Sequence, residues 1–565
     1  MDITRAASEA VKVWITFGGA TLALLWLDVP RKWAPWLLAG LTLVSCMNYG
    51  RWGTKIYLKQ VDSYDVMHYY LSAKYFDELG YFDLYPAILL ADREHPDGPF
   101  TRRLRRYRAQ SEEEGYLGLK PIRHGLARGR VVKSEKFSPK KWDSFKADLY
   151  HLQRDYTLDG RYFRVMMADR GFNGTTVWLL LARPIAKIVP ATWMKPLCYL
   201  DVLWLGVGLA AVYWAYASWI PVLWTAVFLF NTYSTRWPIT GEAFLRYDWV
   251  ALLLVTMALL KKRKFFAAGW AAALPALLRF FPAVWMFGPA ARGLVQLLFP
   301  GEASGATGLA ARSSVASDAP LRTRLLAQLR RRLSRTHLIF AAGFLASAVS
   351  FQGAAVLSFG TDAVTAHASN LAHHIQPEEL SSRRMGLAIG LTHDGKKLPK
   401  LITDEQKRQV RKIAPLRLAL ASGLLLALGW GARRLRDDEA YALGFIPFFL
   451  LSTFSYYYAV ARLTLILWHA SDLKNERNRV GLAILLALEM FSNYAETNLP
   501  GHRVYLVGHL SWGLAAYSVL MAGWLVYENY RSDRDLENDS LSHPEGEQDD
   551  DDQPAQSAEE SPAPV

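Results

Sequence analysis

Long apolar runs alternate with polar segments along most of the chain. Many of these runs approach the roughly 20 residues that an α-helix needs to cross a bilayer. The clearest are Val11–Val29, Trp33–Tyr49, Leu197–Trp219, Trp249–Leu260, Phe265–Pro282, Leu338–Phe359, Leu416–Trp430, Tyr441–Tyr457, Val480–Phe491 and Tyr505–Tyr527. Because some runs are short and others look like two joined spans, the pattern predicts about 12–14 crossings. The expected fold class is an all-α polytopic membrane protein.

Two polar segments, 51–171 and 361–412, interrupt this pattern. The first shows helical periodicity from Val66 to Leu79, a candidate C-cap at Gly80 and a second helical pattern over 142–156. It is therefore expected to be ordered and partly helical. The predicted divisions are N-terminal transmembrane helices at 1–50, a first external loop at 51–171, a transmembrane core at 172–300, a basic cytoplasmic loop at 301–336, a second core at 337–530 that includes the external loop 361–412, and a disordered acidic tail at 531–565.

The net charge of +14 matters through its distribution. Many cations flank apolar runs, so membrane topology explains them more simply than a nucleic-acid partner does. We therefore expect no nucleic-acid partner. The positive-inside rule places "KKRK" at 261–264, Leu321–Arg335 and "GARRLRDDEA" at 431–440 in the cytoplasm. By parity, both polar segments are then external and the C-terminal tail is internal. This count requires Thr175–Val189 to be re-entrant or partial.

Asp62 and Asp65 lie just beyond an apolar run and three residues apart. On a helix they share one face, so both can reach the same group. A carboxylate at a membrane boundary acts as a general base or binds a divalent cation that holds a phosphate. The alternative is a helix N-cap, since Asp and Ser commonly precede an apolar-periodic run. His68 follows closely and is a candidate substrate contact.

Arg279 is the most informative cation in the sequence. It lies between two apolar halves and is flanked by Pro275 and Pro282. A cation there is costly unless it faces a polar cavity or snorkels to the surface, and an Arg at a helix break is suited to clamping a phosphate. The alternative is a snorkelling side chain at a hairpin tip. Asp169 places another acid before an apolar run, with a capped loop as the alternative.

Two further stretches contribute candidates for substrate binding. "TGEAFLRYDW" at 240–249 brings Glu242 and Arg246 to the outer end of a predicted span, where they line a cavity or form an ordinary charged turn. His373 and Arg383 are candidate contacts to a donor or acceptor phosphate, with a solvated loop as the alternative. The sequence contains no P-loop, Rossmann fingerprint, zinc motif or nucleophile elbow, so nucleotide hydrolysis has no support. No cofactor is required by these patterns, and a divalent cation is the remaining candidate.

The order of these pieces resembles the GT-C superfamily of integral-membrane glycosyltransferases. It is most similar to polyprenyl-phosphate-mannose-dependent enzymes of the bacterial alpha-mannosyltransferase type. The resemblance covers roughly 62–85 and 172–458, and four motifs carry it. The first is an acid that opens the first external loop, followed by a Tyr, a small residue, a Gly and a Tyr (Asp65, Tyr69, Ala73, Gly80, Tyr85). The second is the run "FNGTTVWLLLARPIAKIVP", and the third is the turn "GEAFLRYDW", followed by "KKRK" and by Arg279-Phe280-Phe281-Pro282. The fourth is the polar-aromatic hairpin Ser455–Leu465.

The sequence departs from the family pattern at several points. The first external loop is longer than usual, Arg279 replaces a Lys, and Glu242 stands where Gln is usual. Thr175 and Thr176 also occupy positions where prolines are usual. These departures bear on the identity of donor and acceptor more than on the fold.

The resemblance implies a GT-C-like bundle and an inverting hexosyltransferase. Such an enzyme moves mannose, or another hexose or pentose, from a polyprenyl phosphate to a lipid or glycan acceptor on the external face of the bacterial cytoplasmic membrane. Asp65 would deprotonate the acceptor, Asp62 and Asp169 would orient it or hold a cation, and Arg279 would offset the leaving phosphate. Two other classes stay open, namely a secondary transporter or lipid flippase, and a scaffold whose basic loop binds anionic lipids or a partner.

Overall fold

The computed structural model describes residues 5–53, 61–96, 100–111, 115–155, 160–169, 171–232, 244–298, 335–374, 384–395, 399–498 and 503–542. Within these ranges the chain is almost entirely helical. Strands are confined there to two short antiparallel pairs. The predicted all-α class is confirmed.

The first half of the chain combines apolar helices with the helices of the first polar segment. They are α1 (Arg5–Leu24), α2 (Ala34–Tyr49), α3 (Leu84–Glu94), α4 (Ile122–Lys136), α5 (Pro139–Asp155), α6 (Gly160–Met167), α7 (Thr176–Ile188), α8 (Leu200–Tyr216), α9 (Trp219–Asn231), α10 (Asp248–Lys261), α11 (Phe265–Arg279) and α12 (Phe287–Leu298). The hairpin of β1 (Arg106–Ser111) and β2 (Gly115–Pro121) lies between α3 and α4 in the chain.

The second half continues with longer apolar helices. Its elements are α13 (Arg335–His374), β3 (Arg384–Met385), α14 (Leu387–Thr392), α15 (Pro399–Lys412), α16 (Ala414–Gly431), α17 (Asp437–Ala442), α18 (Phe445–Leu451), β4 (Phe454–Ser455), α19 (Leu463–Ala470), α20 (Glu476–Asn498) and α21 (Arg503–Ser542). A 3₁₀ helix over Tyr456–Arg462 joins β4 to α19.

Four helical stretches among the described residues are long and apolar enough to cross a membrane. They are Ala191–Tyr216, Arg335–Ala372, Ala414–Arg434 and Leu506–Asp535. Helices α9 and α11 are apolar but shorter. The 13-residue α7 occupies the run that parity requires to be partial, and at about 20 Å it is too short for a full span. The expectation of about 12–14 crossings goes beyond these helices and stays a prediction.

The apolar run Tyr441–Tyr457 does not form the single helix that its composition predicts. Helix α18 ends at Leu451, and the hydroxyl of the next residue, Ser452, donates to the Phe448 carbonyl over 2.6 Å. The chain then becomes extended, because Phe454 and Ser455 pair with Met385 and Arg384 of β3. This long-range pairing, which periodicity cannot register, replaces the predicted span by two short helices, a strand and a 3₁₀ helix.

The first polar segment has its own hydrophobic core and internal ion pairs. Buried Asp83 accepts hydrogen bonds from Arg128 and Lys136, each over 2.8 Å. Asp148 accepts from Lys74 over 2.6 Å. The predicted order and partial helicity of this segment are confirmed in its described parts, and Gly80 caps a helix with φ 52°.

Two basic turns lie together at one end of the bundle. The Lys261 ammonium lies 5.1 Å from the centroid of the Tyr216 ring. The Tyr216 hydroxyl donates to Asp438 Oδ2 over 2.9 Å. The turns at 261–264 and 431–440 therefore share what we term the basic end, and the opposite end is termed the polar end. Of the third predicted anchor, only Arg335 is described.

Helix α21 continues to Ser542, twelve residues into the segment for which the composition predicts disorder. Asp533 forms ion pairs with Arg433 and Arg434 at the basic end. These opposite charges hold the start of the acidic segment against the bundle. Residues 543–565 lie outside the described part of the chain.

The two polar segments meet at the polar end. Asn370 Nδ2, in α13, donates to the Phe172 carbonyl over 2.9 Å. The rings of Tyr81 and His367 have centroids 5.7 Å apart. Portions of 51–171 and 361–412 thus lie on the same side of the bundle.

Helices α11 and α13 approach each other closely through two glycines. A Cβ atom at Gly269 would lie 1.9 Å from the Phe340 carbonyl oxygen, and one at Gly343 would lie 2.1 Å from the Phe266 carbonyl oxygen. Neither helix can therefore carry a side chain at this crossing. Close approach through small residues is a common way to pack helices in membranes.

Candidate functional site

A small pocket at the polar end brings together residues from four separate parts of the chain. Its volume is about 20 Å³, room for about one water molecule. The lining residues are Asp65, Tyr69, Arg246, Tyr247, Trp249, Arg279, Tyr457 and Tyr458. Three residues selected from the sequence, Asp65, Arg246 and Arg279, therefore share one site although they are far apart in the chain.

Asp65 is held by Arg246. Arg246 Nη1 lies 2.9 Å from Asp65 Oδ1, and the two side chains are 13% and 6% exposed. Asp65 Oδ2 is buried and has no hydrogen-bond partner among the described residues. Burying an ionised carboxylate is costly unless it is paired. The ion pair keeps a charged carboxylate in the pocket while leaving one of its oxygens unengaged.

Local helix geometry fixes the direction of Asp65. The Asp62 side chain accepts from the Tyr64 amide over 3.0 Å and caps the first turn, Ser63–Val66. Asp65 occupies the third position of that turn, where the helix dipole favours a negative charge. A π-helix over Met67–Leu71 follows, a feature frequent at functional sites. Asp62 thus acts as a helix N-cap, the alternative to a catalytic role that the sequence left open. It also lies within electrostatic range of Arg246.

Arg279 ends α11 and enters the pocket from another side. Its Nη2 donates to the Leu245 carbonyl over 3.1 Å, and its guanidinium lies 5.5 Å from the centroid of the Tyr69 ring. The next residue, Phe280, has φ 46°, which ends the helix sharply. Arg279 Nε is buried without a partner among the described residues. An anion in the pocket would satisfy this donor.

The loop that carries Arg246 depends on a residue that the sequence did not single out. Asp201 Oδ1 accepts from the backbone amides of Arg246 and Tyr247 over 2.7 and 2.9 Å. Leu245 adopts φ 51°, so the loop is strained and needs this support. The available signal was a lone acid inside the apolar run Leu197–Trp219. Asp201 is a positioning residue for the Asp65 partner.

A larger cavity of about 460 Å³ adjoins the small pocket. Arg279, Tyr457 and Tyr458 line both spaces and form their shared wall. The polar residues that line the larger cavity include Asp169, Asn173, His367, Asn370 and Arg384. Its apolar lining residues are Leu278, Phe280, Phe281, Phe448, Leu451 and Phe454, with Leu371. The cavity therefore suits a ligand with a polar head and an apolar chain.

Asp169 faces this larger cavity and is engaged by Tyr64. Burial first, and then the Asp169 charge, raise the pKa of the Tyr64 hydroxyl well above its ordinary value. Tyr64 therefore stays protonated and hydrogen-bonds the Asp169 carboxylate. Asp169 and Asp65 thus belong to adjoining cavities, and neither cavity contains both.

The other candidates lie elsewhere or outside the described residues. His68 lines neither cavity, since its Nδ1 contacts the Tyr64 carbonyl over 2.7 Å and its Nε2 the Tyr85 hydroxyl over 2.8 Å. Glu242, Arg383 and the side chain of His373 are outside the described part. Arg384, the neighbour of Arg383, lines the larger cavity and donates to the Thr453 carbonyl over 2.7 Å.

The charges of the small pocket favour an anionic ligand. Its lining contains one carboxylate, which is already paired, and two guanidinium groups. Divalent cations such as Mg²⁺ and Ca²⁺ are bound by several oxygen ligands. Among the described residues, no three His, Cys, Asp or Glu side chains gather as a metal site. These residues do not fit the divalent cation considered from the sequence.

No protein-family model matches the chain, and neither a curated protein nor a solved structure is similar to it. The chemistry of the site is therefore inferred from its own residues.

Proposed function

We propose that this chain is a multi-pass membrane glycosyltransferase that moves a sugar from a polyprenyl-phosphate donor to a lipid or glycan acceptor. The proposal rests on two groups without hydrogen-bond partners, one acidic and one basic, that line the same pocket. Asp65 offers an unengaged carboxylate oxygen, and Arg279 offers an unengaged N–H donor. A general base and a cation for a leaving phosphate are what this transfer requires.

The reaction is a single displacement. Asp65 Oδ2 accepts the proton of the acceptor hydroxyl as the hydroxyl oxygen attacks the anomeric carbon. The bond between that carbon and the phosphate oxygen breaks, and its electron pair leaves with the polyprenyl phosphate. Arg279 offsets the negative charge that gathers on that oxygen. With one carboxylate as base and no covalent intermediate, the anomeric configuration inverts.

The amphipathic larger cavity supports a lipid-linked donor. Its apolar lining residues, such as Phe280, Phe448 and Phe454, suit the isoprenoid chain, and Arg279 lines both the cavity and the small pocket. Tyr457 and Tyr458 separate this space from Asp65. Reaction therefore requires these tyrosines to move when substrates bind, as lids do in many enzymes.

The arrangement of charges supports an active site toward the external side of the membrane, which we propose to be the bacterial inner membrane. Helix α10 runs from Asp248, beside the pocket, to Lys261 at the basic end. Its 14 residues place the pocket about 20 Å from the basic end, which is less than the full thickness of the hydrocarbon core. If the basic end is cytoplasmic, as the positive-inside rule proposes, the pocket lies in the external half of the membrane.

The test is transfer of radiolabelled sugar from polyprenyl-phosphate donors to membrane acceptors. The wild type, Asp65→Asn and Arg279→Gln are compared with Asp143→Asn, a control acid in the same polar segment whose side chain is 72% exposed. We expect transfer by the wild type and the control, and loss of at least about 100-fold in both pocket variants. Equal transfer by Asp65→Asn would remove this residue from the mechanism.

A second candidate, a secondary transporter, is favoured by a buried ion pair away from the pocket. Arg462 Nη2 lies 2.5 Å from Glu489 Oε1, and both side chains are buried. Charges inside a helical bundle often mark a transport path. Movement of a solute or lipid across proteoliposomes, lost in Glu489→Gln but kept in Asp65→Asn, would favour this candidate over transfer.

A further inference from the structure

The first polar segment carries a compact group of exposed cations around the base of the β1–β2 hairpin. The Ile122 amide donates to the Arg105 carbonyl over 3.0 Å, and Arg106 lies opposite Pro121 across the hairpin. These contacts bring the start of β1 and the start of α4 together. The exposed cations around this junction, which we term the basic hairpin face, are Arg102, Arg103, Arg105, Arg106 and Arg123.

The positive charge of this face is not neutralised by the described acids. Asp83 pairs with Arg128 and Lys136, and Glu94 pairs with Lys133 and Lys146. Glu78 pairs with Lys141. These three acids are thus engaged by other cations, and the basic hairpin face forms no ion pair with a described residue. A dense group of like charges attracts an anionic partner.

The hairpin also connects this face to the larger cavity. Arg108 Nε, on β1, donates to the Ala168 carbonyl over 2.8 Å. Ala168 directly precedes Asp169, which lines the cavity together with Gly171. A Cβ atom at Gly171 would lie 3.0 Å from Gln110 Oε1, so the far end of β1 touches the cavity rim. From Arg106 to Gln110 the strand covers about 13 Å.

We propose that the basic hairpin face binds an anionic glycan, a chain bearing carboxylates or phosphates, and guides the end of that chain into the larger cavity as the acceptor. This inference rests on the proposed function and names the class of its acceptor. A membrane surface is the less favoured partner. Protein surfaces that lie in the bilayer interface combine cations with Trp or Tyr, whereas the exposed large apolar side chains described over 100–136 are Leu119 and Val131.

The test measures binding separately from transfer. The full-length protein in nanodiscs of neutral phosphatidylcholine is titrated with carboxymethyl-dextran and with unmodified dextran of equal length. The variant Arg105→Gln/Arg106→Gln/Arg123→Gln is compared with Arg93→Gln/Lys140→Gln, which removes exposed cations outside the face. We expect the wild type and the control to prefer the anionic polymer, and the triple variant to bind it about tenfold more weakly.

Three other results would decide against the proposal or assign the face to another partner. Equal binding of charged and neutral dextran by the wild type, or equal loss in the control, would overturn the proposal. Binding to phosphatidylglycerol vesicles that the triple variant loses, without polymer binding, would assign the face to the membrane instead. Asp65→Asn should bind the polymer like the wild type, so a failure of the transfer chemistry remains distinguishable from a failure of this surface.

Discussion

Asp65 Oδ1 and Arg246 Nη1 lie 2.9 Å apart in a pocket with room for about one water molecule. The pair joins the first polar segment to the loop that precedes α10. It fixes one oxygen of the proposed base and leaves the other available. This relationship makes the loop before α10 as important to the proposed chemistry as the helix that carries the acid.

Arg246→Gln should damage both stability and transfer. It leaves a buried carboxylate without its partner, which costs about 3–5 kcal/mol when a buried pair is broken from one side. We expect a clear drop in the melting temperature of the purified protein and a large loss of sugar transfer.

The double variant Asp65→Asn/Arg246→Gln separates the two effects. It removes both charges, so it should melt closer to the wild type than Arg246→Gln does while remaining inactive. If the double variant melts lower than Arg246→Gln alone, the ion pair does not account for the loss of stability.

Mutation of Asp201 tests whether a residue outside the pocket holds Arg246 in position. Asp201→Ala removes the acceptor of two buried backbone amides and should destabilise the fold by about 1–3 kcal/mol. Because Arg246 then loses its position, kcat for transfer should fall more than KM rises. Asp201→Asn keeps one carbonyl acceptor and should recover part of kcat, a recovery that a purely electrostatic role of Asp201 would not give.

Replacement of Tyr458 should open the wall between the two cavities. In a Cys46→Ser/Cys198→Ser background, a cysteine placed by Asp65→Cys should react slowly with a water-soluble thiol reagent, because the pocket is buried. Tyr458→Ala should raise this labelling rate by about tenfold or more, since the aromatic ring that lines both spaces is removed. An unchanged rate would mean that Asp65 is reached by another route.

The ion pairs of Asp83 predict an asymmetric response to mutation. Asp83 is 6% exposed, whereas Arg128 and Lys136 are 45% and 40% exposed. Asp83→Asn releases cations that water can solvate, so it should cost about 1 kcal/mol or less. Arg128→Gln/Lys136→Gln strands a buried carboxylate and should cost several times more. Thermal melting of the two variants measures the difference, and equal losses would contradict this account.

The sequence predicted the helical class and singled out three residues that line the small pocket, for identifiable physical reasons. Apolar runs are local, so the bounds of α10, α11 and α16 follow closely from composition. Asp65, Arg246 and Arg279 were found because charges at the ends of apolar runs need a reason to be there.

The missed features all depend on contacts between distant parts of the chain. Asp201 acts through backbone amides 45 and 46 residues away. Tyr457 and Tyr458 were interpreted mainly as interfacial aromatics, and only the pairing of β3 with β4 breaks their helix and brings them to the pocket. No local pattern encodes these relationships.

The glycine crossing of α11 and α13 determines which part of the site can move. With Gly269 against Phe340 and Gly343 against Phe266, the two helices are locked backbone to backbone. One of them ends in Arg279, whereas the other is interrupted at Gly360 (φ 81°) before it reaches His367 and Asn370 on the cavity wall. The crossing therefore fixes α11 against the first part of α13 only. We expect Arg279 to keep its place when a ligand enters, and His367 and Asn370 to be free to shift by rotation at Gly360.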